Sequence, residues 1–337
     1  MAGAGPAEPF GVALRRPGAD LCGVDDLSDV EIADLLRRAL AIADLPHRAD
    51  PLRGILRGLH VLGAFAEPST RTRMSFEVAA CRLGADFSAF DGGPSTSATK
   101  GETALDALRN LDAMGFAAII VRAREDGWPQ RLTGALTARV INAGDGKTEH
   151  PTQALLDAAT ILEACGRAPT LGPEALAGVR VAICGDIRHS RVAGSNLRLL
   201  PRLGASVVVA GPAGLVDARS LPEGVEVADS LDAAIAGADA IMMLRIQRER
   251  LPAALEIPDD ASYHARWGLT EARLARAAAD AVVLHPGPMN RGVEIADAVA
   301  DGPRSRILRQ VRLGVAVRMA VLARACGRLD LLPGGLG

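Results

Sequence analysis

The chain has 337 residues, 49% of them hydrophobic, with 38 Lys and Arg set against 40 Asp and Glu. That length suits two domains of ordinary size, each able to bury its own core. The nearly cancelled charge, without a basic arm or acidic tail, gives no footing for a nucleic-acid partner, and no run of about 18 apolar residues suggests a membrane one.

The opening stretch, MAGAGPAEPFGVALRRPGAD, lacks the charged head and long apolar centre of a secretion signal, so a cytoplasmic protein is expected. Its Gly, Pro and Ala content predicts a poorly ordered extension over residues 1–24. Ser28-Asp29-Val30-Glu31 has the form of a capping box and predicts a helix to about residue 43. A buried strand is expected over 61–65, a helix over 74–83 ended by Gly84, and a strand over 86–90. A small-residue loop over 91–100 leads to a helix over about 101–114, then strands over 117–121 and 139–141. Pro151 suits the first position of a helix reaching about residue 163.

The turn-rich stretch 166–173 reads as a domain boundary, after which the alternation resumes. Strands are expected over 179–184, 206–210, 239–244 and 281–284, with a helix over 193–203. A long helix over 305–326 closes the chain, with Ile307, Val311, Val315, Met319 and Leu322 on one stripe. Alternating strands and helices imply parallel β-α-β units. The expected fold class is α/β, with two parallel-sheet domains of similar size, residues 25–165 and 166–304, joined by helices. The five cysteines, Cys22, Cys81, Cys165, Cys184 and Cys326, form no C-x-x-C pair and no metal-ligand spacing. They read as reduced structural residues, and neither metal nor cofactor is expected.

In open α/β sheets, ligands sit beyond the carboxyl ends of the strands. Beyond the strand ending at Phe65 comes Ser69-Thr70-Arg71-Thr72-Arg73. Helix N-termini already favour anions, and hydroxyl and guanidinium groups sharpen that preference toward phosphate. A simple helix cap with solvated arginines is the alternative. Arg122 follows the next strand, and Glu149-His150-Pro151-Thr152-Gln153 follows 139–141. A His there, neutral or cationic, can polarise a ligand carbonyl, although a surface His before a helix reads the same. In the second half, Gly185-Asp186-Ile187-Arg188-His189-Ser190-Arg191 stands where a dinucleotide loop would, but arginines replace the close-approach glycines. Arg245 and Gln247 follow another strand, with Arg248 and Arg250 reading as ordinary solvated charges. The pattern suits two anionic substrates held side by side.

These segments resemble the aspartate/ornithine carbamoyltransferase family. PSTRTRMSFE, KGET, HPTQALLD, RIQRERL and HPGPMNRGVEI carry the resemblance, in order, across about 25–325. The last two point to the aspartate branch, because the ornithine branch carries a Cys in an H-C-L-P segment. The resemblance implies that Ser69, Thr70, Arg71 and Thr72 hold the phosphate of carbamoyl phosphate. Arg122, His150 and Thr72 would contact its carbonyl oxygen. Gln153 and the Pro286-Gly287-Pro288 segment would hold its amide. Arg191 and Arg245, with Gln247, would bind L-aspartate. Lys100 would reach the active site of a neighbouring subunit in a homotrimer. The C-terminal helix, 305–330, would pack back on the first domain. The implied reaction gives N-carbamoyl-L-aspartate, an early step of pyrimidine synthesis. Two positions depart from the family pattern: the loop serine four before the lysine falls on Thr96, with Ser97 beside it, and Val192 follows Arg191 where Thr is frequent. Carbamoylation of ornithine, or a non-catalytic metabolite-binding homologue, are the rival readings. A regulatory chain or a dihydroorotase partner stays open.

Overall fold

The computed structural model describes residues 18–45, 51–91, 102–250 and 259–336. The chain opens with α1 (Asp29–Ala43), whose start is a reciprocal cap: Ser28 Oγ accepts from the Glu31 N–H and the Glu31 carboxylate accepts from the Ser28 N–H. Then come β1 (His60–Phe65), α2 (Thr70–Leu83), β2 (Asp86–Phe90), α3 (Ala104–Asp112), β3 (Ala118–Ala123), α4 (Trp128–Leu132), β4 (Arg139–Asp145) and α5 (Pro151–Ala164). The second half runs β5 (Arg180–Cys184), α6 (Arg191–Arg202), β6 (Ser206–Ala210), β7 (Glu226–Val227), α7 (Leu231–Ile235) and β8 (Ala240–Met243). It continues through α8 (Asp260–Trp267), α9 (Glu271–Leu274), β9 (Val282–Leu284) and α10 (Asp297–Ala300) to the long α11 (Ile307–Ala325).

The strands form two sheets, ordered β2-β1-β3-β4 and β7-β6-β5-β8-β9. Every pairing within them is parallel. The apolar runs of β1, β3 and β5 are buried along their length, as parallel strands covered on both faces require. In each sheet the order reverses at the first strand: β1 has β2 on one side and β3 on the other, and β5 has β6 and β8. Such a reversal opens a crevice beyond the strand ends.

Three helices occupy the middle of the molecule. In α5, every residue from Pro151 to Leu162 is buried. It packs against α6 and α11. Helix α11 begins beside the second sheet and runs back over α1, α2 and α5. Its Leu313, Val317, Met319, Ala320 and Leu322 join one core with Leu36, Phe76 and Leu155. Arg309 bridges Asp44 at 2.7 Å and Glu163 with Nε, also at 2.7 Å, tying α1, α5 and α11 together.

Several expectations need correction. The extension does not reach residue 24: Leu21 is fully buried, its N–H donating to the Val140 carbonyl and its own carbonyl accepting from Asn142. Helix α2 starts at Thr70, so the Ser/Thr/Arg packet forms its first turn instead of preceding it. Strand β3 runs past Val121 to include Arg122, and β4 runs to Asp145. Cys81 is exposed, because it lies round α2 from the buried Phe76, Ala80 and Leu83. The short elements α4, α7 to α10 and β7 went unforeseen, being too brief to show a period. Among the described residues no helix is long and apolar enough to cross a membrane.

Candidate active site

A cleft of about 710 Å³ lies between the two sheets, floored by α5 and α11. Its lining includes Ser69, Thr70, Arg71, Thr72, Arg122, His150, Gln153, Arg191, Arg245, Gln247, Pro286, Gly287 and Pro288. Every site residue expected from sequence is thus brought to one cavity except Lys100, which, with Thr96 and Ser97, lies outside the described residues.

On the first-sheet wall, Ser69 is the N-cap of α2 but its side chain makes no capping hydrogen bond. Helix geometry leaves the N–H groups of Thr70, Arg71 and Thr72 without intrahelical acceptors, so hydroxyls and amides converge on an anion-binding mouth. The Arg71 guanidinium pKa is lowered by partial burial first and by nearby Arg245 second, which places two cations close together across the cleft.

Arg122 stands at a register shift between β3 and β4: Val121 pairs with Asn142, but Ala123 pairs with Asp145. Bulges of this kind re-aim side chains beside active sites. Arg122 Nη1 donates to the Ala143 carbonyl at 3.0 Å and Nη2 to Glu67 at 3.1 Å. Burial, then Arg191, lowers its pKa to about 10, so it stays charged at neutral pH. Gly144 makes this crowding workable. Its φ is +115°, and a Cβ there would sit 3.0 Å from Arg191 Nε and 3.1 Å from Arg122 Nη1.

His150 is the N-cap of α5, and its backbone N–H donates to Ser195 Oγ at 2.8 Å. Burial, then the charges of Arg122, Arg318 and Arg191, hold the imidazole well below its ordinary pKa. Of the two forms the sequence leaves open, this environment favours the neutral ring. Gln153, one turn on, donates from Nε2 to Asp157 at 2.9 Å. The Pro286-Gly287 turn follows β9. There the Gly287 N–H donates to His285 Nδ1 at 2.9 Å, and the opposite ring nitrogen faces Glu294 at 3.0 Å. With that N–H spent, the backbone groups this turn offers a ligand are carbonyl acceptors.

On the second-sheet wall, Arg191 opens α6 and Arg245 follows β8. Gln247 is pinned by Nε2 to the His189 carbonyl at 2.7 Å, and His189 Nδ1 lies 2.9 Å from Asp186. Three residues of the site escape the sequence reading. Glu67 accepts from Arg191 and Arg122 and lies 3.5 Å from Arg250, and these guanidiniums pull its carboxyl down to about 2 against the opposing effect of burial. Arg250 is not an ordinary solvated charge: it donates to the Gly146 carbonyl at 2.8 Å and the His189 carbonyl at 3.2 Å. Arg318 rises from α11 with its guanidinium 5.3 Å from the Phe76 ring centroid, buried enough to lower its pKa to about 10. Glu67 and Arg318 have no local mark in the sequence, and Arg250 has only its place in RIQRERL, because the partners of all three lie far along the chain.

Two parallel α/β units facing each other across a cleft of guanidinium, hydroxyl and amide groups define an enzyme for paired anionic substrates. Residues 19–163 match the carbamoyl-P binding domain of aspartate/ornithine carbamoyltransferases, and residues 177–325 match their Asp/Orn binding domain. The chain belongs to the aspartate/ornithine carbamoyltransferase family. It is 50% identical over 311 residues to the aspartate carbamoyltransferase catalytic subunit of Xanthomonas campestris pv. campestris (strain B100), covering 91% of this chain and 96% of that one. It is 49% identical over 311 residues to the corresponding subunit of Sorangium cellulosum, covering 92% and 94%. The structure of Trypanosoma cruzi aspartate transcarbamoylase in complex with carbamoyl aspartate and phosphate is similar with a TM-score of 0.78 at 26% identity, over 94% of this chain and 98% of that one. The same enzyme in complex with N-(phosphonacetyl)-L-aspartic acid gives 0.77 at 27%, over 94% and 98%.

Proposed function

We propose that this chain transfers the carbamoyl group of carbamoyl phosphate to the amine of L-aspartate, giving N-carbamoyl-L-aspartate and phosphate, an early step of pyrimidine synthesis. The observation that carries this reading is the division of the cleft. A phosphate-type helix mouth stands on one wall, two carboxylate-type arginines stand on the other, and a neutral His lies between them.

Ser69, Thr70, Arg71 and Thr72 hold the phosphate. Gln153 and the Pro286 and Gly287 carbonyls take the carbamoyl NH2, and Arg191 and Arg245, with Gln247, take the two carboxylates of aspartate. The uncharged aspartate amine attacks the carbonyl carbon, and the proton it sheds goes to the departing phosphate. The bond from that carbon to the phosphate oxygen breaks, and phosphate leaves with the electron pair. Arg122, Thr72 and the uncharged His150, each through a donated hydrogen bond, stabilise the oxyanion that develops on the carbonyl oxygen. Placement of both reactants in one cleft supplies much of the remaining rate gain. Formation of carbamoyl-aspartate by the purified chain, with ornithine in place of aspartate as the comparison, tests the reading. Turnover of ornithine alone would overturn it.

The same reading includes a homotrimer in which Lys100 completes a neighbour's site. What supports it is the family pattern, together with the exposed apolar Met74 and Val78 along the cleft's edge on α2. Lys100→Ala and His150→Ala proteins, each nearly inactive, should regain activity when mixed after reversible dissociation. A mixture as inactive as its parents, with hybrids verified by native mass spectrometry, would count against sharing.

A further inference from the structure

Asp157 lies fully buried in α5, one turn beyond Gln153, and takes no part in the reaction described above. Its Oδ1 accepts from Gln153 Nε2 at 2.9 Å and from Gln310 Nε2 at 2.8 Å, while Oδ2 accepts from Asn196 Nδ2 at 2.8 Å. Gln310 passes the link onward, its Oε1 accepting from the His285 N–H at 2.9 Å. One carboxylate thereby gathers amides from α5, α6 and α11 and, through Gln310, grips the start of the His285-Pro286-Gly287 turn.

A side-chain amide has a donor end and an acceptor end, and only the hydrogen-bond network decides which way it faces. Because Gln153 Nε2 is committed to a carboxylate that can only accept, Gln153 Oε1 is the end left for the cleft. We propose that Asp157 is the positioning residue for the carbamoyl amide: it turns the Gln153 acceptor toward the NH2 of carbamoyl phosphate and, through Gln310, sets the backbone carbonyls of the Pro286-Gly287 turn as the other acceptors. This rests on carbamoyl phosphate being the donor substrate, as proposed above. Burial raises the Asp157 carboxyl to about 6, while the Asn196, Gln310 and Gln153 amides and the Arg318 charge favour the ionised, acceptor-only form. At neutral pH the carboxylate is therefore the form in place.

Acetyl phosphate isolates the contribution, because it carries a methyl group where carbamoyl phosphate carries the amino group. The wild-type chain should bind carbamoyl phosphate more tightly than acetyl phosphate, measured by calorimetry and by competitive inhibition. Asp157→Asn leaves one acceptor oxygen for three amide donors and sets an NH2 group among them, so the hold on Gln153 weakens. The carbamoyl-over-acetyl preference should fall about tenfold, the worth of one well-made hydrogen bond, with acetyl phosphate affinity nearly unchanged. General loosening of the site would weaken both ligands together and would overturn the proposal. So would an unchanged preference in the variant. If Asp157→Asn does not fold, Gln310→Leu carries the test: it leaves the Gln153–Asp157 pair intact and releases the turn, and should cut the preference by a smaller factor. An unaltered preference there would overturn the proposal. Failure of the wild-type chain to turn over carbamoyl phosphate and aspartate would overturn the functional reading and this inference with it, whereas wild-type turnover with undiminished preference in the variants overturns the inference alone.

Discussion

Arg191 grips Glu67 with both terminal nitrogens, Nη2 at 2.5 Å from Oε1 and Nη1 at 3.0 Å from Oε2. Glu67 lies between β1 and α2, whereas Arg191 opens α6, so the pair spans the cleft from one sheet to the other. An aspartate carboxylate that comes to Arg191 meets a carboxylate already there. In the proposed reaction the protein's own acid and the substrate's acid compete for, or share, one guanidinium.

Replacing Glu67 by Gln should therefore change both stability and ligand response. Arg122, Arg191 and Arg250 lose the anion that offsets their mutual repulsion, so turnover should fall roughly tenfold and inhibition by free phosphate should strengthen. The pH dependence has a definite sign. The folded-state pKa of Glu67, about 2, lies below its ordinary 4.5, so its stabilisation is complete above about pH 5 and disappears as pH falls toward 2. Denaturant unfolding of wild type and Glu67→Gln should show a stability gap that is constant from pH 8 to 5 and closes below pH 4. A gap that widens on acidification contradicts the assignment.

Arg71 and Arg245 face each other closely enough for one to lower the pKa of the other, yet they serve different substrates in the proposed reaction. Arg71→Ala should cost at least about a hundredfold in turnover, as loss of a transition-state donor does, while thermal unfolding moves little because the side chain is solvent-accessible. Arg245→Ala should raise the aspartate KM strongly and leave carbamoyl phosphate binding almost as it was. Loss of carbamoyl phosphate binding with aspartate dependence intact would reverse the two walls of the cleft.

Gly144→Ala introduces a methyl group between two guanidiniums and forces a side chain onto a backbone at φ +115°. Strain of this kind is worth on the order of 1–3 kcal/mol, and Arg191 or Arg122 has to give up bonds to make room. Thermal unfolding should drop by several degrees and turnover by about tenfold or more. Full activity in this variant would show that neither guanidinium needs its present position.

His150 caps the helix that carries Asp157, and their shifts run in opposite directions. Burial and three arginines keep His150 neutral well below its usual range, whereas burial lifts Asp157 to about 6 with Arg318 the nearby charge opposing it. The kcat/KM for carbamoyl phosphate should accordingly show an acid limb near pH 6 that belongs to Asp157, because protonation turns one acceptor oxygen into a donor facing amide N–H groups. Asp157→Asn should lack that limb. A limb that persists in Asp157→Asn and vanishes in His150→Asn would assign it to the imidazole.

Much of this organisation is legible in the linear chain, because parallel α/β folds place ligands beyond strand ends and strand ends can be located from apolar runs. Ser69 to Thr72, His150, Arg191 and Arg245 are all found that way. Boundaries fare worse where residue types mislead. The Ser/Thr/Arg packet has the composition of a loop and is the first turn of α2. Arg122 ends an apolar run and yet belongs to β3, held in the sheet by its pairing opposite Phe65. Glu67 and Arg318 carry no local signal, and Arg250 only its place in RIQRERL, because each acquires its meaning from partners dozens to hundreds of residues away. Exposed Cys81 makes the complementary point: its apolar neighbourhood in sequence is not its neighbourhood on the helix.

The return of α11 to the first sheet's core has a consequence for how the molecule comes into being. Gly18 lies against the backbone of Arg324 and Ala325, so the start and finish of the described chain meet on the same unit, and the five-stranded sheet is an insertion between α5 and α11. During vectorial synthesis that inserted sheet is complete before the ribosome has made the helix carrying Leu313, Val317 and Leu322 to the earlier core. The half translated first is thus the half finished last, and the cleft cannot acquire Gln310 and Arg318 until the final helix docks.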